Sequence, residues 1–325
     1  FLHCMDNKTA VSIGIVAYNE EKNLGKLIEQ VLAQVGINIK ELLLISDGST
    51  DGTNKIIDHY RLKDPRIRHF IFAKREGKYR GVNVFLQEAA SPILILCSAD
   101  IMFANNALSK LCEPFSDEKN IMSIARPIAI NDRGPLGKCI QLNWDIHHIL
   151  ATIRPKGTEL LAFRKTTIQI PKTTVDEEYL LALLSKEGNA IYSDTVCFFN
   201  KGPTKFSEFI SQIRRNCTGH LFLIKETGYV PITAQSWTCV RQALLSAKKY
   251  KFAVFLFLFL QCIGRSMGFF DYMGGKKDVC WSMALSTKDL TSMAQFPLEL
   301  PMPRIEKNTE IKSLKTTSTL ISVDD

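Results

Sequence analysis

Short apolar runs and segments with helical spacing alternate through the first hundred residues of the chain. Runs of this length, rich in β-branched residues, predict buried strands, whereas apolar residues three and four positions apart predict helices. Strands and helices that alternate at this interval predict βαβ units and a mostly parallel sheet with helices on both faces. The predicted strands are 11–17, 41–46, 66–72 and 93–97, and the predicted helices are 24–32, 51–60 and 81–89.

Polar residues follow each of these predicted strands. In sheets of this kind the ligand lies beyond the carboxyl ends of the strands, where the polar segments come together. The sequence therefore predicts one ligand site at that edge of the sheet. The four polar segments are 18–20, 47–51, 75–79 and 98–100.

The alternation loosens beyond residue 104. We expect one α/β domain at 8–225, a helical extension at 226–300 and a polar, disordered tail at 301–325. Within the second half of the domain, strands are predicted at 121–130, 159–163 and 190–199, and helices at 140–150, 175–184 and 206–224.

Composition and charge limit the class of protein. Of the 325 residues, 46% are hydrophobic and 23% charged, which is typical of a soluble globular chain. A net charge of +8 suits a phosphate-bearing ligand or an anionic membrane surface, and does not by itself indicate nucleic acid. The nine cysteines are scattered without a CxxC pair, which favours reduced thiols over disulfides or a zinc site. Because the first residues also lack a secretory signal pattern, a cytoplasmic location is expected.

The longest apolar run spans 252–263, with lysines at 248, 249 and 251 before it and Arg265 after it. About a dozen residues is less than the ~20 that a membrane-spanning helix needs. Cations beside an apolar face favour a helix that lies in the interface of an anionic leaflet, at the inner face of the membrane. A buried core helix of the same length is the alternative.

The sequence VSIGIVAYNEE at 11–21, followed by LISDGSTDGT at 44–53, resembles the family 2 glycosyltransferases. The resemblance continues through EGK at 76–78 with Asn83, ILCSAD at 95–100, GTELLAFR at 157–164, DEEYL at 176–180 and QIRR at 212–215. It covers roughly residues 8–223. It implies a GT-A-type α/β fold, Rossmann-like, with a C-terminal helical appendage.

The resemblance implies an inverting transfer of a sugar from a nucleotide-diphospho-sugar to the hydroxyl of a sugar or lipid-linked acceptor. Such chemistry serves glycan, glycolipid or cell-envelope polysaccharide synthesis. Asn216 stands where processive members have tryptophan, which favours a single transfer, and His220 is expected to face the site. His147 and His148 are expected to have no role.

The donor-binding residues follow from matching the family's motifs. Ala17 replaces a proline of the family, and Arg214 is an additional neighbour of the matched arginine. Taken alone, the segment 47–51 indicates a capped turn, because Asp and Gly are default turn residues. For the arginines, a solvated helix face is the alternative. The expected donor residues are Ala17, Tyr18, Asn19, Glu20, Asp47, Ser49, Asp51, Lys78, Asn83, Ser98, Ala99, Gln212, Arg214 and Arg215.

A divalent metal is expected on Asp100. The family uses Asp-x-Asp to hold Mg²⁺ or Mn²⁺ on the diphosphate, and here the triplet is Ser98-Ala99-Asp100. One carboxylate together with substrate phosphates is enough for Mg²⁺. An ordinary polar strand end is the alternative.

The general base is expected at Glu177, with Asp176 as the neighbouring choice. The family has a Glu-Asp pair where this chain has the reverse order. Acidic residues also favour the first turn of any helix, which is the structural alternative.

Two other functions stay open. A nucleotidyltransferase could use a similar scaffold with metal and nucleotide, and a catalytically degenerate chain could bind sugar nucleotides or a membrane surface without turnover. Nucleic acid is not an expected partner. GxGxxG, GxxxxGK[ST], HExxH and GxSxG motifs are absent from the sequence.

Overall fold

The computed structural model of the chain describes residues 10–131, 134–277, 279–280 and 284–288. Within these residues the strands are β1 (Ala10–Ala17), β2 (Asn38–Ser46), β3 (Ile67–Ile71), β4 (Ile93–Ser98), β5 (Ile101–Phe103), β6 (Asn120–Ala129), β7 (Leu160–Arg164) and β8 (Asn189–Asn200). The α-helices are α1 (Leu24–Leu32), α2 (Thr53–Arg61), α3 (Lys78–Glu88), α4 (Ala107–Cys112), α5 (Gly134–Ile153), α6 (Asp176–Leu184), α7 (Phe206–Thr227), α8 (Ser236–Leu245), α9 (Ala247–Tyr250) and α10 (Phe252–Met273).

The eight strands form one mixed, mostly parallel sheet in the order β3-β2-β1-β4-β7-β6-β8-β5. β1, β2, β3 and β4 are parallel, and β7 runs antiparallel between β4 and β6. The predicted α/β class, with a mostly parallel sheet between helices, is confirmed. The carboxyl ends of the first four strands therefore share one edge of the sheet.

Two apolar cores cover the two faces of the sheet. One packs α1, α2 and α4 against it, and the other packs α3 and α6 against the opposite face. Strands buried on both faces are continuously apolar, which is why β1, β2 and β4 were recognisable as such. A third core joins α5, α7 and α10 beyond the sheet.

Within residues 10–225 the predicted elements agree with the structure to within a few residues, except at β5, α4 and α5. β5 and α4 were not predicted, because a three-residue strand and a six-residue helix carry little periodicity. α5 is 20 residues long, about twice the predicted length. The tail 301–325 lies outside the described residues.

The expected length of the apolar helix was wrong. α10 is 22 residues long and, by length and composition alone, could cross a bilayer, with a mean hydropathy of 1.7 over its most apolar window. A core helix passes the same test, and 33% of that window is buried inside the protein. Arg265 does not flank the helix, since it lies within it and bonds the Thr233 carbonyl at 2.9 Å.

Two glycines let α10 pack closely on α7. A Cβ at Gly268 would lie 2.5 Å from the Arg214 carbonyl oxygen and 2.8 Å from the Cβ of Cys217. A Cβ at Gly264 would lie 2.7 Å from Ile213. This packing extends α10 past the apolar run. It also holds α7, which carries the predicted donor residues Arg214 and Arg215.

We expect Gly268→Ala to lower the free energy of unfolding by about 1–3 kcal/mol, because its methyl group would meet the backbone of α7. Ser266→Ala, on the exposed side of the same helix, should change it by less than ~0.5 kcal/mol. Urea denaturation of both variants measures the difference. Equal stabilities would show that the two helices are not closely packed at Gly268.

Candidate active site

A cavity of about 980 Å³ lies beyond the carboxyl ends of β1, β2 and β4. In the sheet, β2 lies on one side of β1 and β4 on the other. The strand order reverses at this point, so the cavity is at the switch point of the sheet. Helices α3, α6 and α7 line it near the sheet, and α5, α8 and α10 extend it outward. The predicted site residues that line it are Ala17, Tyr18, Glu20, Asp47, Lys78, Ser98, Ala99, Asp100, Asp176, Glu177, Gln212 and Arg215.

Three other predicted donor residues join the loops that follow β1 and β2, outside the cavity lining. The backbone N–H of Asn19 donates to Ser49 Oγ at 3.1 Å. The Asp51 carboxylate accepts from the backbone N–H of Thr53 at 3.0 Å and from that of Glu21 at 3.2 Å. The structural reading of this segment as a capped turn describes Asp51 well.

Asn83 and Arg214 also lie outside the lining of the main cavity. The Asn83 amide clamps the backbone of Ile170, donating to its carbonyl at 2.8 Å and accepting from its N–H at 2.9 Å. Arg214 donates to Asp271 at 2.7 Å and lines a separate cavity of about 320 Å³. Of the two adjacent arginines, the structure brings only Arg215 to the main cavity.

Asp47 shapes the loop that leads into α3. Its buried carboxylate accepts the backbone N–H groups of Glu76 at 2.8 Å and Gly77 at 2.9 Å. Gly48, at φ 69°, passes so close that a Cβ there would meet the backbone nitrogen of Arg75 at 2.4 Å. Burial raises the pKa of Asp47. Asp47 thus faces the cavity and also fixes the start of α3, where Lys78 lies.

Glu20 is occupied by a residue far along the chain. Its carboxylate, 2% exposed, pairs with Lys288 and accepts from the Asn23 amide at 2.9 Å. Burial raises the pKa of Glu20 to about 7, Asp100 adds to the rise, and the Lys288 ammonium opposes it. Lys288 itself lines the cavity, although no motif in the sequence predicted it there.

Lys78 lies between the strand end and the start of α6. Its ammonium donates to Ser98 Oγ at 3.0 Å, bonds the Glu177 carboxylate, and lies 3.3 Å from Asp176 Oδ2. One cation therefore links two distant segments, the end of β4 at Ser98 and the start of α6 at Asp176 and Glu177. The carboxylates raise the pKa of Lys78 against the effect of burial, so it stays charged.

The two carboxylates beside Lys78 have different environments. Burial raises the pKa of Asp176, and repulsion from Glu177 adds to the rise. Burial also disfavours the charged form of Glu177, but attraction to Lys78 outweighs it and lowers the pKa. Glu177 is also the more accessible side chain, at 19% against 3%.

Arg215 faces the same acidic group from α7. Burial lowers its pKa, and the nearby carboxylates of Glu177 and Asp176 oppose that effect. Glu178, the next residue of α6, also lines the cavity and lies 3.2 Å from Lys156. The cavity thus combines a cationic pair, Lys78 and Arg215, with several carboxylates.

Sequence reasoning missed Glu159 and Asn200, which line the cavity beside Asp100. Burial raises the pKa of Glu159 to about 7, and Glu177 adds to the rise. Glu159 stands within the matched segment 157–164, so its place in a motif was visible. Asn200 had no such signal, because only strand pairing brings it to the site.

The outer half of the cavity is lined by helices α5, α8 and α10. His147 is 5% exposed, and neither ring nitrogen has a hydrogen-bond partner of normal geometry among the described residues. Burial lowers its pKa well below the usual value, so the ring is neutral. His220 also lines the cavity and has a pKa of about 3, lowered by burial and by Lys156. The structure therefore places His147 at the cavity, and the expectation that it has no role stays a prediction.

The sheet order, the cavity at its switch point and the surrounding cations and carboxylates define an α/β protein with a site suited to a phosphorylated ligand. The family described as Glycosyl transferase family 2 matches residues 12–174, just over half of the chain. The chain belongs to this family.

Known proteins similar to this chain include relatives that match about a third of it. An uncharacterised glycosyltransferase of Haemophilus influenzae is 35% identical over 104 residues, which are 32% of this chain and 41% of that protein. An undecaprenyl-phosphate 4-deoxy-4-formamido-L-arabinose transferase of Pectobacterium carotovorum is 27% identical over 128 residues, 38% of each chain. The matched region thus spans about two fifths of these relatives.

A solved structure resembles the chain over most of its length. It is a mannosyltransferase from Pyrobaculum calidifontis in complex with GDP-mannose and Mn²⁺, with a TM-score of 0.60 and 14% identity. The match covers 83% of this chain and 88% of that one. At this identity the similarity shows the fold, and it confirms the predicted GT-A-type architecture.

Proposed function

We propose that the protein transfers a sugar, with inversion, from a nucleotide-diphospho-sugar to an acceptor hydroxyl. The observation that carries this proposal is the ion-paired group of Lys78, Asp176 and Glu177 at the switch point of a family 2 chain. It brings a cation suited to a diphosphate next to carboxylates suited to accept a proton. The mannosyltransferase of the same fold, solved with GDP-mannose and Mn²⁺, supports a nucleotide-sugar donor.

The donor would bind along the strand ends. Ala17, Tyr18 and Asp47 line the part of the cavity next to β1 and β2, where the base and ribose would lie. Lys78 and Arg215 lie toward α6 and α7, where their charges would stabilise the diphosphate. Holding both substrates in a fixed orientation would supply much of the remaining acceleration.

The residues near Asp100 fit a divalent cation. One oxygen of the neighbouring Glu159 is buried and has no hydrogen-bond partner among the described residues. The atoms that Asp100 and Glu159 offer as metal ligands are all oxygens. Mg²⁺ and Mn²⁺ prefer such ligands and often use only one or two carboxylates besides substrate phosphates. Asp100 would hold the ion, which when bound neutralises charge on the leaving diphosphate.

Glu177 would take the proton from the acceptor hydroxyl. In the free protein Lys78 pairs with Glu177 and lowers its pKa. When a diphosphate attracts the Lys78 ammonium, that stabilisation of the charged carboxylate weakens and its pKa rises. Donor binding would thus make Glu177 a stronger base at the step that needs one.

A nucleotidyltransferase is the main alternative, and the released product distinguishes the two. A glycosyltransferase releases a nucleoside diphosphate, whereas a nucleotidyltransferase releases or consumes pyrophosphate. Assays of both products, with UDP- and GDP-sugars, Mn²⁺ and a set of sugar and lipid-linked acceptors, would therefore distinguish them. Tight donor binding without either product would favour a binding module.

We expect Glu177→Gln to keep donor binding and to reduce nucleoside diphosphate release by about 10²- to 10⁴-fold, the usual contribution of a positioned base. Donor affinity from calorimetry and turnover from product release are measured on the same preparation. Glu187→Gln, at an exposed site, is the control. A larger loss in Asp176→Asn would move the base to Asp176, and no loss in either variant would place it elsewhere.

We expect Asp100→Ala to abolish the dependence of nucleotide binding on Mn²⁺ while the circular dichroism spectrum stays unchanged. The reason is that Asp100 is the carboxylate retained in the matched triplet. Calorimetric titrations with UDP and GDP, with and without Mn²⁺, measure the effect, and Asp58→Ala is the exposed control. An unchanged metal dependence in Asp100→Ala would rule out this assignment.

We also infer that α10 rests on an anionic membrane surface, at the cytoplasmic face. One face of the helix packs on α5 and α7, while an apolar stripe on the other is exposed to solvent. Exposed lysines at 248, 249 and 251 precede it, as charge complementarity to an anionic leaflet requires. The stripe consists of Phe252, Phe255, Phe259 and Phe270. A surface location would bring lipid-linked acceptors to the cavity, and one relative is named for undecaprenyl phosphate.

Vesicles of phosphatidylglycerol and phosphatidylcholine should sediment the protein at low salt, and less of it at high salt because the charges are screened. Phe255→Asp with Phe259→Asp should leave the fold intact and abolish sedimentation, since both side chains are more than 60% exposed. Leu62→Asp, at an exposed residue after α2, is the control. Wild-type protein that stays in the supernatant, or a double variant that unfolds, would exclude the membrane surface.

A further inference from the structure

Three oxygen-bearing side chains meet where β4 ends. We propose that Glu159 and Asn200 complete, together with Asp100, the divalent cation site of this protein. Glu159, directly before β7, would then supply the carboxylate that this chain lacks at position 98. The inference rests on the proposed function, because it concerns the cation that Asp100 would hold.

Strand pairing brings these residues together. The backbone N–H of Ser98 donates to the carbonyl of Glu159 at 2.9 Å, directly beside the pairing of β4 with β7. Glu159 therefore lies opposite the position where the family's triplet has its first aspartate. Asn200 pairs with Ile101 in the antiparallel ladder of β5 and β8, next to Asp100.

Two of the atoms at this corner have unmet hydrogen-bonding capacity. Within the described residues, Glu159 Oε2 and Asn200 Oδ1 are buried and have no hydrogen-bond partner. Asn200 as a whole is 8% exposed, and its amide nitrogen reaches only the other Glu159 oxygen, at 3.4 Å. Buried acceptors without partners are uncommon, because they lose water without a replacement. Since both atoms are acceptors, the missing partner is a donor or a cation.

The charges at this corner favour a cation. The carboxylates of Asp100 and Glu177 both act on Glu159 and disfavour its charge. The Lys78 ammonium opposes them, but it bonds Glu177 and lies 3.3 Å from Asp176. A second source of positive charge would relieve the repulsion between Asp100 and Glu159.

The ligand set also matches the chemistry of the ion. Among the described residues there is no cluster of three His, Cys, Asp or Glu side chains that could hold a metal alone. Two carboxylates and one amide oxygen form a weak site by themselves. Phosphate oxygens of a nucleotide would complete it, as is usual for Mg²⁺ and Mn²⁺. We therefore expect cation and nucleotide to bind together more tightly than either alone.

Binding of Mn²⁺ to the full chain tests the proposal without any turnover. Electron paramagnetic resonance measures free Mn²⁺ in titrations with and without UDP or GDP. We expect Glu159→Gln and Asn200→Leu each to weaken Mn²⁺ affinity by about tenfold or more, the scale on which even indirect partners of a metal act. Glu187→Gln, which removes an exposed carboxylate, should bind Mn²⁺ like the wild type.

The outcomes separate this inference from the proposed function. If both variants bind Mn²⁺ as tightly as Glu187→Gln while Asp100→Ala does not, Glu159 and Asn200 are not ligands and the Asp100 assignment stands. If wild-type protein binds no Mn²⁺ with either nucleotide, the cation site is excluded. Mn²⁺ binding that depends on all three residues, without release of a nucleoside diphosphate, would support the site and contradict the transferase. Glu159 precedes β7 and Asn200 ends β8, so misfolding of one variant leaves the other as a test.

Discussion

The ion-paired contact of Lys78 with Asp176 and Glu177 joins the two halves of the protein. Lys78 begins α3, and the two carboxylates begin α6. All three groups are largely buried, so removing one would leave the others without compensation in a low-dielectric site, which is typically costly. In the proposed function the same contact supplies the chemistry, because it would keep a cation and a base at the switch point of the sheet.

The loops around this contact depend on conformations that few residues allow. Gly77 has φ 104° at the start of α3, and Gly48 passes against the backbone of the neighbouring loop. Asp47 holds the first of these loops through two backbone hydrogen bonds. The position of Lys78 is therefore fixed by the backbone before any ligand binds, which lowers the cost of ordering the site.

The C-terminal helices extend the cavity outward from the sheet. α10 packs on α7 through Gly264 and Gly268, and α7 carries Arg215 into the cavity. Lys288 reaches back to Glu20 at the end of β1. Residues beyond the family's matched region thus contribute to the cavity that the matched region begins.

The sequence by itself determined the α/β class, most of the elements and the strand ends that meet at the cavity. It could do so because continuous apolar runs and polar strand ends are local patterns. Asp47, Lys78 and Asp100 could be predicted because motifs place them after strands, and Glu177 because a motif places it at the start of α6. Local patterns also favoured residues such as Asp51, whose hydrogen bonds serve a turn.

Only the tertiary structure decided which polar residues face one another. Glu159 and Asn200 reach Asp100 through pairing between strands distant in the sequence, and periodicity carries no record of such pairing. The two faces of α10 were likewise undecided, because an apolar run of that composition fits a core and a surface equally well. Packing against α5 and α7 buried one face and left the other exposed. Contacts between distant segments decide which face of a helix is buried and which side chains meet, because the free energy of burial depends on the whole fold.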